Sequence, residues 1–163
     1  MSETGLKIRE FPDPVLRRKA KPVKTVSAEH AALLSKMARL MYESRGVGLA
    51  APQVGVSEAL IVVDAGSGLY KLVNPKVIKK EGSQVNDEGC LSVPGVYIKV
   101  KRARRITVSG LDESSKPVKF EAQDLLACAI QHEIDHLSGR IIVDYASFFK
   151  KMAIGIKKAN AVK

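Results

Sequence analysis

The stretch from about Glu121 to Ser138 carries apolar residues on two stripes of a single helix, and few folds can house such a segment. Leu125, Cys128, Ala129, His132, Glu133 and His136 recur at i, i+3, i+4, i+7, i+8 and i+11, while Leu126, Ile130, Ile134 and Leu137 form a second stripe. A helix apolar on two sides must be covered on both, so the spacing predicts a buried helix that stops at Gly139. Within its first stripe lies QHEIDH, residues 131–136, which holds two of the three histidines in the chain. Buried without partners, such groups cost roughly 1–3 kcal/mol each. Residues at i and i+4 lie one turn apart on the same face, so His132 and His136 can reach one cation. Glu133 then sits beside it, able to hold a metal-bound water.

Two imidazoles do not complete a site, and the third ligand separates one hydrolase class from another. In zincin-type proteases it follows downstream, as a glutamate or as the last histidine of H-E-x-x-H-x-x-G-x-x-H. Gly139 fits that longer pattern, but Ile142 stands at the histidine position, and neither His nor Glu follows His136. Asp144 is the acidic candidate that remains. Cys128 shares the stripe but lies about 12 Å along the axis from His136, too far for a short side chain, and reads as packing. Cys90 is favoured, because Gly89, Pro94 and Gly95 in EGCLSVPG mark an irregular segment that can bring a thiolate to the helix. One sulfur and two nitrogens would leave a fourth position for water. An endoprotease using Asp144 stays open beside this, as does a non-enzymatic RNA-binding module with a structural metal.

Around this helix, residues 27–44 read as an amphipathic helix behind a Ser27 cap, with Leu33, Leu34, Met37, Leu40 and Met41 at helical spacing. ALIVVDA, YKLVNPKVI, VYIKVKR, RITVSGL and PVKF read as short strands, RIIVDY as strand-like, and the end of the chain as a basic helix. Strands in runs rather than in alternation with helices predict an α+β fold. With no internal repeat or low-complexity linker, residues 1–163 read as one domain. The lone His30 reads as a surface residue.

No run approaches the ~18 apolar residues of a membrane span. The charged start MSETGLKIRE lacks the apolar core of a signal peptide. Cys90 and Cys128 read as thiols of a reducing compartment, so a cytoplasmic, membrane-free protein is expected. The net charge of +10, clustered in residues 17–24, 99–105 and 150–163, suits RNA or an acidic surface, although no aromatics interleave these runs.

GVGLAAPQVG, residues 46–55, reads alone as a small-residue turn. Together with EGCLSVPG and QHEIDHLSG it closely resembles the three signature motifs of the peptide deformylases, in their order. The resemblance covers nearly the whole chain. It implies antiparallel sheets packed around a central metal-binding helix, with a C-terminal helix. It also implies removal of the formyl group from the formyl-methionine of newly synthesised proteins, releasing formate, by attack of a metal-bound hydroxide. Carried over residue by residue, Cys90, His132 and His136 would bind the metal and Glu133 would be the general acid/base. Gln53 and the backbone N–H of Leu91 would stabilise the charge growing on the formyl oxygen. Gly46, Gly48 and Gly89 would let the substrate backbone approach, and Val47, Leu125, Cys128 and Ala129 would line an apolar methionine pocket. Glu88 and Arg102 would steady the cysteine loop. The working metal implied is ferrous iron, replaceable by zinc, nickel or cobalt. The partners implied are formyl-methionyl nascent peptides and, through the basic C-terminal residues, the ribosome, with a monomer as the family default.

Overall fold

A computed structural model describes residues 2–161, with side chains to residue 155. The elements run α1 (Ala28–Glu43), β1 (Gly48–Ala50), β2 (Leu60–Val63), β3 (Tyr70–Glu81), β4 (Gln84–Cys90), β5 (Val93–Arg102), β6 (Arg105–Leu111), β7 (Pro117–Gln123), α2 (Asp124–Leu137) and α3 (Phe148–Ala161). Five strands form one antiparallel sheet in the order β1-β2-β3-β6-β7, and β4 and β5 form a separate antiparallel hairpin.

The four residues of β2, LIVV, are all buried. In an extended chain alternate side chains point to opposite faces. Leu60 and Val62 accordingly join Leu34, Met37 and Met41 of α1, while Ile61 and Val63 join Ala127 and Ile130 of α2. The sheet is therefore covered by a helix on each face. The other side of α2 meets the β4–β5 hairpin. There Gln131 accepts from Ala103 N at 3.1 Å and donates to Ala103 O at 2.9 Å, and Cys128 donates to Glu88. The buried helix expected from two apolar stripes, and the α+β class expected from strands in runs, are both observed.

Several local expectations are corrected. The central helix begins at Asp124 rather than near Glu121, because residues 117–123 pair along their whole length with β6. Their alternating half-buried side chains serve a strand better than a helix turn. RIIVDY is not a strand but ends in a 3-10 turn, Ile142–Tyr145. Ile141, Ile142 and Val143 bury against Leu16, Val93 and Val100 without a strand partner, and the Asp144 carboxylate accepts from Ile141 N at 3.0 Å. The segment 46–55 is not a mere loop, since it contains β1 and a 3-10 turn, Ala51–Val54. EGCLSVPG, expected to be irregular, is the tip of the β4–β5 hairpin. His30 is half-buried rather than superficial, because its Nδ1 accepts from Ser27 N at 3.0 Å in a capping box that starts α1. Gly139 ends the central helix region as expected. It has φ +75°, and a side chain there would meet Arg17 O at 2.5 Å.

Candidate active site

Cys90 comes to α2 by strand pairing. It ends β4, faces Val93 across the hairpin tip, and follows a break in register after Glu88. Its Sγ lies 3.4 Å from His136 Nε2, and one ligand atom each of Cys90, His132 and His136 lies within 4.8 Å of the others. Asp144 is elsewhere, bonded to Arg17 at 2.6 Å, and Cys128 is turned to Glu88 at 3.0 Å. The structure thus gathers Cys90, not Asp144, with the histidines.

One thiolate and two imidazoles form a donor set suited to zinc or iron. Burial alone would lower the proton affinity of His132, but Cys90 and Glu88 raise it well above the ordinary imidazole value. His136 is pushed well below that value, chiefly by burial, so it stays neutral and able to donate its lone pair. Glu133 Oε2 and His136 Nδ1 are buried and have no hydrogen-bond partner among the described residues. A buried acceptor without a donor is costly, and in Glu133 it points to a water or substrate group. Burial lifts the Glu133 carboxyl to about 7, against the pull of His132 and Arg102. The residues fit a metal centre with an acid/base beside it.

Glu88 and Arg102 form the core of the supporting network. Arg102 Nε and Nη2 each donate to the Glu88 carboxylate at 2.8 Å, and both side chains are buried. Glu88 also faces His132 Nδ1 at 3.6 Å, which leaves Nε2 of that ring available to another partner. Burial would raise Glu88, but hydrogen bonds from His132, Arg102 and Cys128 outweigh it and hold the carboxyl at about 2. Burial, then the neighbouring carboxylate, push the Cys128 thiol up to about 12, so it remains an S–H donor.

Three participants were not singled out from the sequence. Asp135 accepts from Arg102 Nη1 at 2.6 Å, and the Tyr145 hydroxyl donates to the same Asp135 oxygen at 2.6 Å. Ser92 Oγ accepts from Gln53 Nε2 at 3.1 Å, while Gln53 Oε1 accepts from Ala50 N at 2.9 Å. The bond to Ala50 fixes which way the amide points, so Nε2 is presented toward Cys90 Sγ at 3.5 Å. Asp135 lay within QHEIDH, and only its off-stripe position hid it. Ser92 lay within EGCLSVPG, where Cys90 drew the attention, and Tyr145 carried no such signal.

Cys90 and His132 open into a pocket of about 710 Å³ whose walls also include Gln53, Glu88, Leu91 and Glu133, with His136 buried behind them. Val47, Leu125, Cys128 and Ala129 line it as well, the first two exposed and the last two buried. Gly46, Gly48 and Gly89 also border it, and the chain itself already fills the space a side chain would need there. A Cβ on Gly48 would stand 2.7 Å from Glu133 Cγ, and one on Gly46 would stand 2.8 Å from Leu91 Cδ1. Gly48 is what allows Glu133 to stand against β1.

Comparisons with known proteins agree with this geometry. The family described as Polypeptide deformylase matches residues 6–152. The peptide deformylase of Halothermothrix orenii is 52% identical over 141 residues, 85% of this chain and 92% of that protein. The crystal structure of a peptide deformylase from Legionella pneumophila superposes with TM-score 0.88 at 42% identity, covering 97% of this chain and 98% of that one. One from Synechococcus elongatus, in complex with actinonin, superposes with TM-score 0.89 at 38% identity, covering 97% and 87%. Fold, site and sequence match converge on one conclusion: this chain belongs to the polypeptide deformylase family, metal-dependent hydrolases that remove the N-terminal formyl group from nascent peptides.

Proposed function

We propose that residues 1–163 form a single catalytic domain in which Cys90, His132 and His136 hold the metal and Glu133 moves the proton during hydrolysis of formyl-methionyl peptides. The observation that carries this reading is the convergence of Cys90 with both histidines beside a buried, unpartnered Glu133 oxygen. When bound, the metal supplies a Lewis acid that makes hydroxide available from water near neutral pH. Glu133 accepts the proton of the attacking water as its oxygen bonds to the formyl carbon. It returns that proton to the amine nitrogen as the C–N bond breaks, freeing formate and the peptide N-terminus. A carboxyl near 7 suits both halves of this exchange. Gln53 Nε2, oriented by Ala50 N and Ser92, and the Leu91 N–H at the hairpin tip would meet the charge on the formyl oxygen. The methionine side chain would cover Val47 and Leu125, which are exposed, against Cys128 and Ala129. The peptide backbone would run as an added strand past Gly46, Gly48 and Gly89.

The test is release of formate from formyl-Met-Ala-Ser, with metal analysis of the same sample. Metal-loaded protein that releases none would sink the reading. We take ferrous iron as the working metal, and zinc, nickel or cobalt as substitutes. Both cysteines are free thiols, in keeping with a reducing cytoplasm. No helix among the described residues is long and apolar enough to cross a membrane. A monomer suffices, because one chain supplies every assigned residue.

Tyr145→Phe removes the hydroxyl that donates to Asp135 and accepts from Arg102 Nη1 at 3.3 Å. With Arg102 less firmly held on Glu88, the metal should dissociate into a chelator about tenfold faster, the lower end for outer-shell changes around metals. An unchanged dissociation rate would show that the network does not steady the site.

Ribosome contact through the basic C-terminal residues is part of the same proposal. Lys157 and Lys158 have side chains outside the described residues, and Lys163 lies outside them altogether. Removing everything after Phe149 would also strip buried Ile154 from its cluster with Val93 and Ile142, so charge substitution is the cleaner test. Replacing the three lysines by glutamine should lower the salt dependence of ribosome binding by a log–log slope of about 2, leaving short-peptide hydrolysis unchanged. Equal binding at low salt would overturn this contact.

A further inference from the structure

A second cleft, of about 510 Å³, lies on another face of α2, between that helix, β3 and β5. It goes unused by the chemistry proposed above. Its walls carry five cations, Lys76, Lys80, Lys101, Arg102 and Arg140, against one carboxylate, Asp135. Arg102 is already neutralised, since it is held between Glu88 and Asp135. Asp135 in turn is taken up by Arg102 and by the Tyr145 hydroxyl. Four positive charges are left over. The side chains of Lys76, Lys80 and Lys101 are exposed and have no ion-pair or hydrogen-bond partner among the described residues. Among these residues the Arg140 guanidinium meets Tyr145 alone, by a long contact to Oη at 3.5 Å and over the ring at 5.7 Å.

The three lysines stand on paired strands, and Arg140 lies in the turn that follows α2. Lys76 and Lys80 pair through their backbones with Ser109 and Ile106 of β6, and Lys101 pairs with Val85 of β4. Their positions are therefore held before any ligand arrives. Ser109 and Ile106, the β6 partners of Lys76 and Lys80, stand three residues of strand apart across a bulge, about 10 Å. A chain of charges can meet both.

Further observations narrow the class of ligand. Protein interfaces center on apolar and aromatic side chains. Here Val77 and Ile134 are already partly packed into the core, and the Tyr145 ring is occupied by Arg102 at 5.0 Å and Arg140 at 5.7 Å. No aromatic face in the cleft is free to stack a base, so nothing in it reads sequence. The chain as a whole carries a net charge of +10. We propose that the cleft walled by Lys76, Lys80, Lys101 and Arg140 binds the phosphodiester backbone of a nucleic acid, independently of sequence, while the pocket at Cys90 stays open to a peptide.

The test uses the full-length, metal-loaded protein and a fluorescein-labelled single-stranded RNA of 20 mixed nucleotides, with binding read by anisotropy from low to moderate salt. The variant K76Q/K80Q/K101Q is compared with K19Q/K24Q/K36Q, which removes the same charge from exposed lysines outside the cleft. Three lost phosphate contacts should lower the log–log salt slope by about 2 for a single strand, and hence weaken binding by roughly 100-fold at 0.1 M salt. The control should stay near wild type. Formate release from a short formyl-peptide should be the same in all three proteins, because none of the six lysines touches the metal pocket. A DNA strand of the same length should bind with a similar slope. Equal weakening by both triple variants would reduce the effect to net charge and overturn the site. Failure of the wild-type protein to bind RNA at low salt would overturn it too. If polyglutamate competes as well as RNA at equal charge, the cleft is a general acidic-chain site and the nucleic-acid assignment fails.

Discussion

Glu133→Gln is expected to lower kcat for formyl-Met-Ala-Ser by about 10²- to 10⁴-fold, the range of a general acid/base, with the metal content unchanged. Glutamine has the shape of glutamate, and the clearance at Gly48 that admits one side chain admits the other. The three atoms gathered within 4.8 Å belong to Cys90, His132 and His136, so none of the ligands is altered. What disappears is a carboxylate whose buried Oε2 has no internal partner and whose affinity for a proton sits at about 7. Formate release and metal analysis of the same preparation decide the matter. Loss of the metal together with activity would mean that Glu133 is a ligand and the set is misassigned. Substantial turnover would move the proton transfer to another group.

Cys90→Asp should change which metal the protein keeps and how it responds to air. A carboxylate still binds a divalent ion, but the soft sulfur that favours zinc and iron is gone. Zinc should be held more weakly, by more than the 10- to 100-fold typical of changes to outer residues. In the unaltered protein, activity should be high when it is loaded anaerobically with iron, fall in air, and be lower but durable with zinc. Nickel or cobalt should give a durable, active protein. Iron beside a thiolate invites oxidation of both ion and sulfur, and Cys90→Asp removes the oxidisable partner. Competition with a chelator and activity after timed exposure to air measure the two effects. Unchanged zinc affinity with unchanged air sensitivity would show that Cys90 is not the third ligand.

Elements whose cause is local were legible in the chain. Ser27 caps α1 where expected, and the α1 face of Leu34, Met37, Leu40 and Met41 is buried. The strands Leu60–Val63, Arg105–Leu111 and the start of β7 stand where β-branched runs placed them. β4 was missed, because Asn86, Asp87 and Gly89 are poor strand formers and only pairing with β5 holds them extended. β1 was missed for a related reason. Gly48 and Ala50 carry little strand preference, one Leu49 between them makes no pattern, and β2 supplies the hydrogen bonds. Ile141 to Val143 misled in the opposite direction, since a β-branched run found a hydrophobic pocket but no strand edge.

For the site, the sequence alone determined the helix. The 3.6-residue repeat puts His132, Glu133 and His136 on one stripe and demands cover on both sides, whatever the rest of the chain does. The sequence favoured Cys90 over Asp144 as the third member of the site without placing either of them. Their placement belongs to the tertiary structure, which brings Cys90 Sγ to His136 from 46 residues away and ties Asp144 to Arg17 instead. The chain from His132 through Glu88, Arg102 and Asp135 to Tyr145 was likewise settled by folding, because its members come from β4, β5, α2 and the turn that follows it. The physical reason is range. Helix periodicity acts between neighbours three and four residues apart and is written in the order of residues. The meeting of hairpin tip and helix depends on strand register and on which buried surfaces find each other, and no local pattern encodes that.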